Sequence, residues 1–184
     1  FSYGRIKLGE ERRVPNISVG LVNLDQTLAQ SQPNRAKERL VMIKELLAKL
    51  EPLHLRFMAL PETLFRLAED RSVKEELLKL VRDIKTPLLV GVEAESEGDG
   101  VRNRVLFFEQ DAAVAHYDKR SLVPFAEYLP MASLPLWPKL LREGDRFVAG
   151  KGGGVVDFAG LSLGLSICLE GAMPGWFNES VRQG

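Results

Sequence analysis

Three residues with complementary chemistry occupy equivalent places in the sequence, each directly after a predicted strand. They are Glu62, Lys119 and Cys168. In α/β folds the carboxyl ends of the strands form the crevice that holds a site, so these side chains are expected to converge. A carboxylate, an ammonium group and a thiol supply a proton acceptor, a partner for a developing oxyanion and a nucleophile. Together they predict catalysis through a covalent bond to Cys168.

Each of these residues, taken singly, also has a purely structural interpretation. Cys168 is the one cysteine of the chain, and a lone cysteine after an apolar strand is often a small buried hydrophobe. Glu62 could be an acid near a helix start, and Lys119 beside Arg120 could be surface charge. The catalytic interpretation therefore depends on the three occurring together.

Other sites are less well supported by the sequence. His116 could pair with Cys168 in a cysteine–histidine hydrolase. It adjoins Tyr117 in a predicted strand, however, so its side chain points to the face of the sheet opposite to that of Tyr117. The chain has two histidines and one cysteine, without the spacing of a zinc site, so no metal and no other cofactor is expected. The glycine-rich run 149–154 lacks the spacing and the following helix of a phosphate-binding loop, and it is expected to be a turn.

Strands and helices alternate in the first half of the chain, which favours an α/β fold. Two amphipathic helices are expected, one lined by Ala36, Leu40, Ile43, Leu47 and Leu50, the other by Val73, Leu77, Leu80 and Ile84. Asn34 is the expected cap of the first helix, and Ser72 of the second. The expected strands are Ile17–Leu24, Arg56–Leu60, Pro87–Glu93, the hairpin Asn103–Phe108 and Ala113–Tyr117, Val155–Phe158 and Leu161–Ile167, with a further helix opening at Pro174.

Composition limits the class of protein. The 184 residues suit one domain, Phe1–Gly184, and 25 basic against 25 acidic residues give no electrostatic signature of a nucleic-acid partner. No apolar run reaches the length of a membrane span, and Phe1–Arg13 lacks the apolar region of a signal peptide. Because Asn178–Gly184 resembles an unfinished helix, the sequence is expected to be part of a longer protein.

The segment Lys119–Gly154 is long, rich in proline and rich in apolar side chains, and such connections are usually functional. Its apolar residues are expected to be exposed as a patch or, alternatively, to pack as a small separate core. They are Leu122, Val123, Phe125, Leu129, Met131, Leu134, Leu136 and Trp137.

Three motifs, in order, resemble the carbon–nitrogen hydrolase (nitrilase) superfamily. They are Pro61–Thr63, Tyr117–Pro130 and Ser166–Glu170. Within the superfamily, the long second motif is most similar to the apolipoprotein N-acyltransferase family. The chain departs from the usual family pattern at Ala126, at Leu169 and on both sides of Asn103.

The resemblance implies an αββα sandwich with two mixed sheets, truncated after the helix that follows the nucleophile. It assigns the family's catalytic triad to Glu62, Lys119 and Cys168. It further implies that the N–H of Leu169 helps to hold the oxyanion and that Glu127 supports the site. Glu170 matches a second acid beside the nucleophile, for which either a supporting role or a surface position is open.

The resemblance also implies a reaction: an acyl chain passes from a phospholipid, through a cysteine thioester, to the amine of a diacylglyceryl apolipoprotein. Membrane association would come from flanking helices and the Leu122–Trp137 loop, at the outer side of a bacterial inner membrane. Two alternatives are open. One is a soluble amidase of the same superfamily, and the other is a non-catalytic interaction module.

Overall fold

The computed structural model describes residues 16–24, 36–67, 71–96, 100–131 and 147–183. Its helices are α1 (Ala36–Leu50), α2 (Arg71–Asp83) and α3 (Pro174–Gln183). Its strands are β1 (Gly20–Leu21), β2 (Met58–Ala59), β3 (Phe65–Arg66), β4 (Leu88–Ser96), β5 (Gly100–Glu109), β6 (Ala112–Asp118), β7 (Val155–Phe158) and β8 (Leu161–Gly164). Short 3₁₀ turns cover Glu51–Leu53 and Cys168–Ala172.

Six strands form one mixed sheet in the order β1-β2-β4-β5-β6, with β3 paired to β4 beyond the end of β2. The pairs β1–β2, β2–β4 and β3–β4 are parallel, whereas β4–β5 and β5–β6 are antiparallel. The parallel strands therefore present their carboxyl ends at one edge, and β6, which runs parallel to β4, ends at the same edge. Glu62 and Lys119 both follow strands that end there.

The two helices α1 and α2 cover one face of this sheet. Their apolar residues recur every three or four positions, so that one stripe of each helix is buried. In α1 the buried residues include Leu40, Ile43 and Leu47, and in α2 they include Val73, Leu77 and Leu80. This cluster also contains Val90 and Val92 of β4 and forms the main core.

The opposite face of the sheet packs against the hairpin β7–β8, a second, antiparallel sheet. Phe107 of β5 and Phe158 of β7 meet edge to face with ring centroids 5.1 Å apart. Ser180 of α3 lies close to Gly164 of β8 on the far side. The layers are thus helix, sheet, sheet and helix, as the resemblance to the nitrilase superfamily implied.

Most element predictions are confirmed, with differences at the ends. The strand predicted over Ile17–Leu24 contains only Gly20–Leu21, and one side of it, including Ile17 and Leu21, is exposed rather than buried. The strand predicted over 161–167 ends at Gly164, and the strand predicted over Pro87–Glu93 continues to Ser96. Strand β3 was not predicted, since two residues carry no periodic signal. Asn34 and the apolar residues Leu134, Leu136 and Trp137 lie outside the described residues.

Candidate active site

Glu62 stands on the segment that leaves β2 and crosses β4. The N–H groups of Leu60 and Leu64 donate to the carbonyls of Leu89 and Gly91, both at 2.9 Å, so the segment is bound to β4 on either side of Glu62. The carboxylate accepts a hydrogen bond of 2.6 Å from Nδ2 of Asn103, in β5. With 37% of its side chain exposed, the carboxylate is held from one side and open to solvent on the other.

Lys119 follows β6 directly, and its side chain is almost wholly buried, with 1% exposed. Its ammonium lies 2.7 Å from Oε1 of Glu127 and 3.6 Å from Oε1 of Glu62. Its backbone is fixed as well, because the N–H donates to the Asn103 carbonyl and the carbonyl accepts from the Gly150 N–H. The surface-charge interpretation of Lys119 is therefore wrong.

Glu127 uses both carboxylate oxygens. Oε1 accepts from the Lys119 ammonium, and Oε2 accepts from the N–H of Val123 at 2.7 Å. The N–H of Glu127 in turn donates to the Val123 carbonyl at 2.9 Å. Glu127 thus fixes the ammonium of Lys119 to the loop that follows it.

Cys168 begins the 3₁₀ turn after β8 and is exposed, so the buried-hydrophobe interpretation is wrong. Its φ of 51° lies in the left-handed region, which costs a non-glycine residue on the order of 1 kcal/mol or more. This sharp bend presents the thiol at the surface. Leu169 follows in the same turn and is half-buried.

Glu170 is fully buried and accepts four hydrogen bonds, so the surface interpretation of this acid is also wrong. Oε1 accepts from the N–H groups of Arg120 and Ser121, at 2.7 and 2.9 Å. Oε2 accepts from the Tyr117 hydroxyl and from the Ile167 N–H, both at 2.8 Å. The carboxylate therefore joins the turn that carries Cys168 to the chain on both sides of Lys119.

Two buried groups in this region have raised pKa values. Burial by itself lowers the pKa of Lys119, but the hydrogen bond and charge of Glu127, with the charges of Glu62 and Cys168, outweigh it, so the net shift is upward. Burial raises the pKa of Tyr117 to about 12, and Glu170 adds to this effect, while the hydrogen bond from Arg120 opposes it.

These shifts predict a loss of stability in alkali. A group with a raised pKa binds its proton more tightly in the folded state than in the unfolded state. Its contribution to the free energy of unfolding is therefore complete below the unfolded-state pKa and is lost as the pH rises through the folded-state pKa. For Tyr117 the loss begins near pH 10, and for Lys119 near pH 10.5. We expect the free energy of unfolding, measured in urea, to fall as pH rises above 10, and to fall less steeply in Tyr117→Phe. An equal slope in the two proteins would contradict this prediction.

The alternative pairing of Cys168 with His116 is not formed. His116 has 57% of its side chain exposed and lies 4.0 Å from Asp118, whereas the neighbouring Tyr117 is buried toward Glu170. Within the described part of the chain there is no cluster of histidine, cysteine and acidic residues that could hold a metal ion. The described helices also include none that is long and apolar enough to cross a membrane.

The apolar loop is partly exposed, which agrees in part with the prediction of an exposed patch. Phe125 is 70% exposed, with a φ of 67°, and Met131 is 63% exposed. Leu129, by contrast, is buried, and Leu122 and Val123 are half-buried. The described part of the loop therefore anchors some of its apolar side chains and presents others to solvent.

The structure brings Glu62, Lys119 and Glu127 into one network, and Glu170 joins the turn that carries Cys168 to the residue after Lys119. That Cys168 meets this network stays a prediction. It adds two residues that sequence reasoning did not assign to the site, Asn103 and Tyr117. The available signal for Asn103 was its place between Arg102 and Arg104, where the chain departs from the usual family pattern. Tyr117 gave none, because a tyrosine in a strand is ordinary.

The carbon–nitrogen hydrolase family model matches residues 31–182. Among curated proteins, the apolipoprotein N-acyltransferase of Geobacter metallireducens is 33% identical over 110 residues, which are 57% of this chain and 21% of that protein. The enzyme of the same name from Mycolicibacterium smegmatis is 34% identical over 110 residues, 55% of this chain and 18% of that protein. The matched region thus spans about one fifth of these relatives.

Among solved structures, an amidase from Nesterenkonia sp. superposes with a TM-score of 0.67 at 15% identity, over 91% of this chain and 61% of that one. A mutant of this amidase, described as a member of the nitrilase superfamily, superposes with a TM-score of 0.66 at 16% identity, over 94% of this chain and 64% of that one. This likeness shows that the nitrilase-type fold is shared. With the family model covering most of its length, the chain belongs to the carbon–nitrogen hydrolase family.

Proposed function

We propose that this chain is the catalytic part of an N-acyltransferase that moves an acyl chain from a phospholipid to the N-terminal amine of a diacylglyceryl-cysteine lipoprotein. The observation that carries the proposal is the buried ammonium of Lys119, held between Glu62 and Glu127. The exposed Cys168 begins a turn that Glu170 joins to the residue after Lys119. The names of the curated relatives, at about one third identity, direct this chemistry toward acyl transfer.

In the first half-reaction, Glu62 takes the thiol proton and the Cys168 sulfur attacks the ester carbonyl of a phospholipid. The oxyanion that forms is stabilised by the Lys119 ammonium and the Leu169 N–H. When the tetrahedral intermediate collapses, the alcohol oxygen of the lysophospholipid leaves with the proton from Glu62. A thioester on Cys168 remains.

In the second half-reaction, the amine of the lipoprotein attacks the thioester. Glu62 accepts a proton from the nitrogen, and the same two donors hold the second oxyanion. The sulfur then leaves and recovers its proton from Glu62, so the enzyme returns to its starting state. Glu127 keeps Lys119 in place and helps to bind the amine, while Glu170 supports the nucleophile's turn.

Both substrates are membrane lipids, and the exposed part of the loop suits them. An enzyme that takes acyl chains from a bilayer requires an apolar surface on its membrane side, and Phe125 and Met131 supply one near the site. We place the domain at the outer side of the bacterial inner membrane, where phospholipid and lipoprotein are both present. Fractionation of cells with an antibody against the chain tests this location.

The decisive experiment mixes the protein with phospholipid vesicles and measures the mass of the intact chain. We expect one acyl chain to add to wild type and none to add to Cys168→Ala. A diacylglyceryl-cysteine peptide should then remove the acyl group and gain its mass as an amide. No acyl-enzyme with vesicles or with detergent-dispersed phospholipid would contradict the proposal.

The second candidate is an amidase that transfers the acyl group to water. It is favoured by the fold shared with the Nesterenkonia amidase over nearly the whole chain. The two functions differ in the acceptor. An acyl-enzyme that forms from small amides and disappears at the same rate with or without the peptide would establish the amidase instead.

The exposed loop gives a further test of the lipid substrate. Burying a phenylalanine in a bilayer contributes about 1.5–3 kcal/mol, which corresponds to roughly tenfold or more in apparent affinity. We therefore expect Phe125→Ser to slow acylation from vesicles about tenfold, while acylation by a short soluble thioester is unchanged. Leu53→Ser, at an equally exposed residue before β2, is the matched control and should affect neither substrate. Equal losses on both substrates would show that Phe125 does not contact lipid.

A further inference from the structure

Gly91, in β4, lies directly beneath the segment that carries Glu62. A Cβ at this position would stand 2.3 Å from the carbonyl oxygen of Pro61 and 2.7 Å from the Cα of Glu62. Non-bonded atoms do not approach to such distances. The atoms in the way are backbone atoms, so no side chain could rotate to make room. Only a shift of the Pro61–Glu62 segment would accommodate a Cβ.

The segment has little freedom to shift. The Leu64 N–H donates to the carbonyl of Gly91 itself, and the Leu60 N–H donates to Leu89, so the chain is bound to β4 on both sides of the close approach. Leu64 and Phe65 are then buried in the main core. Any residue larger than glycine at position 91 would therefore move Glu62 relative to the sheet or break one of these bonds.

The contacts of Glu62 are made to the next two strands, which would not move with it. Its carboxylate is 2.6 Å from Asn103 Nδ2, in β5, and 3.6 Å from the Lys119 ammonium, after β6. The outer side of the carboxylate is open to solvent, so no side chain above it would restore its place. The height of the backbone over Gly91 sets the position of the carboxylate.

We infer that Gly91 is a positioning residue for Glu62: the missing side chain lets the Pro61–Glu62 backbone lie low enough for the carboxylate to reach both Asn103 and Lys119. This inference rests on the proposed role of Glu62 as the base for Cys168. To relieve the overlap, the Glu62 backbone must retreat by roughly 1 Å, and a misplacement of that size costs about 100-fold in a reaction rate.

The test uses the single cysteine of the chain. Alkylation of Cys168 by iodoacetamide is followed by mass at pH 7, a readout that requires no lipid and no acyl donor. We expect Gly91→Ala to slow alkylation by roughly 100-fold, and Glu62→Gln to slow it comparably. Gly152→Ala, at a glycine with no atom within 4 Å of its would-be Cβ, controls for the loss of a glycine and should not change the rate.

A double-mutant cycle separates positioning from a general structural effect. If Gly91 acts through Glu62, adding Gly91→Ala to Glu62→Gln should have no further effect on the alkylation rate. Independent, additive losses would overturn the inference, as would a wild-type rate in Gly91→Ala alone. Failure of the proposed function would instead appear as no acyl-enzyme from phospholipid while this alkylation pattern is intact.

A second variant covers the case in which Gly91→Ala does not fold, because the overlap of its Cβ with the Pro61–Glu62 backbone also strains the neighbouring core residues Leu64 and Phe65. In that case Pro61→Gly is added, since a more flexible backbone lets the segment rise and relieves the overlap. We expect the double variant to regain the circular-dichroism spectrum of wild type and to alkylate slowly. A folded double variant that alkylates at the rate of Pro61→Gly alone would overturn the inference.

Discussion

Lys119→Ala should lower the rate of acyl-enzyme formation about a thousand-fold. The removal of one oxyanion donor lowers a reaction rate by about 10² to 10³, and a second effect adds to this loss. The second effect is on the carboxylates. Without the ammonium, Glu62 and Glu127 lose the cation that lies 3.6 and 2.7 Å from them. Two carboxylates that face one pocket without a cation repel each other, so the base is less well placed.

The rate is measured from the growth of the acylated mass in the first turnover, with Cys168→Ala as the blank. Lys119→Arg is the informative companion variant. It keeps the charge but replaces a compact ammonium with a planar fork, which does not fit the same oxygen geometry in a buried site. We expect Lys119→Arg to fold like wild type and to show an acylation rate between those of Lys119→Ala and wild type. Acylation at the wild-type level in Lys119→Ala would remove the oxyanion role from this residue.

Glu170→Gln should destabilise the protein more than any other single-atom exchange in the site. All four groups around the carboxylate donate hydrogen bonds to it, and the amide nitrogen of glutamine is itself a donor. Whichever oxygen is replaced, at least one buried backbone N–H then faces another N–H. A buried donor without a partner costs about 1–3 kcal/mol, so we expect a loss of roughly 3 kcal/mol and a Tm lowered by about 10 °C.

The same substitution should lower activity beyond its effect on stability. Glu170 connects the Ile167–Cys168 turn to the backbone that directly follows Lys119, so the exchange loosens the connection between the nucleophile's turn and the lysine's segment. Tyr117→Phe is the graded control, because it removes one donor and leaves the three backbone bonds in place. We expect that variant to lose about 1 kcal/mol and to keep most of its acylation rate. A Glu170→Gln protein with the Tm of wild type would show that the carboxylate does not join the two segments.

Features of this protein that depend on local pattern can be predicted from the sequence alone. The spacing of Leu40, Ile43 and Leu47 determines that α1 is a helix and which side of it is buried, since a period of 3.6 residues is visible along the chain. The ends of apolar runs located Glu62, Lys119 and Cys168, and the rule that strand ends meet at one edge predicted their convergence. Motifs of this kind also carried the resemblance to the family.

The partner of each of these side chains, in contrast, depends on how distant parts of the chain pack together. Asn103 and Glu62 are 41 residues apart in the sequence, and Glu170 lies 50 residues from Arg120, whose N–H donates a hydrogen bond to it. Periodicity reports which face of an element a side chain occupies, but it does not report which distant residue lies opposite. That depends on strand order, register and the height at which one segment crosses another, as Pro61–Glu62 crosses Gly91. These quantities arise when the whole core packs, because each is fixed by contacts between residues that are far apart along the chain.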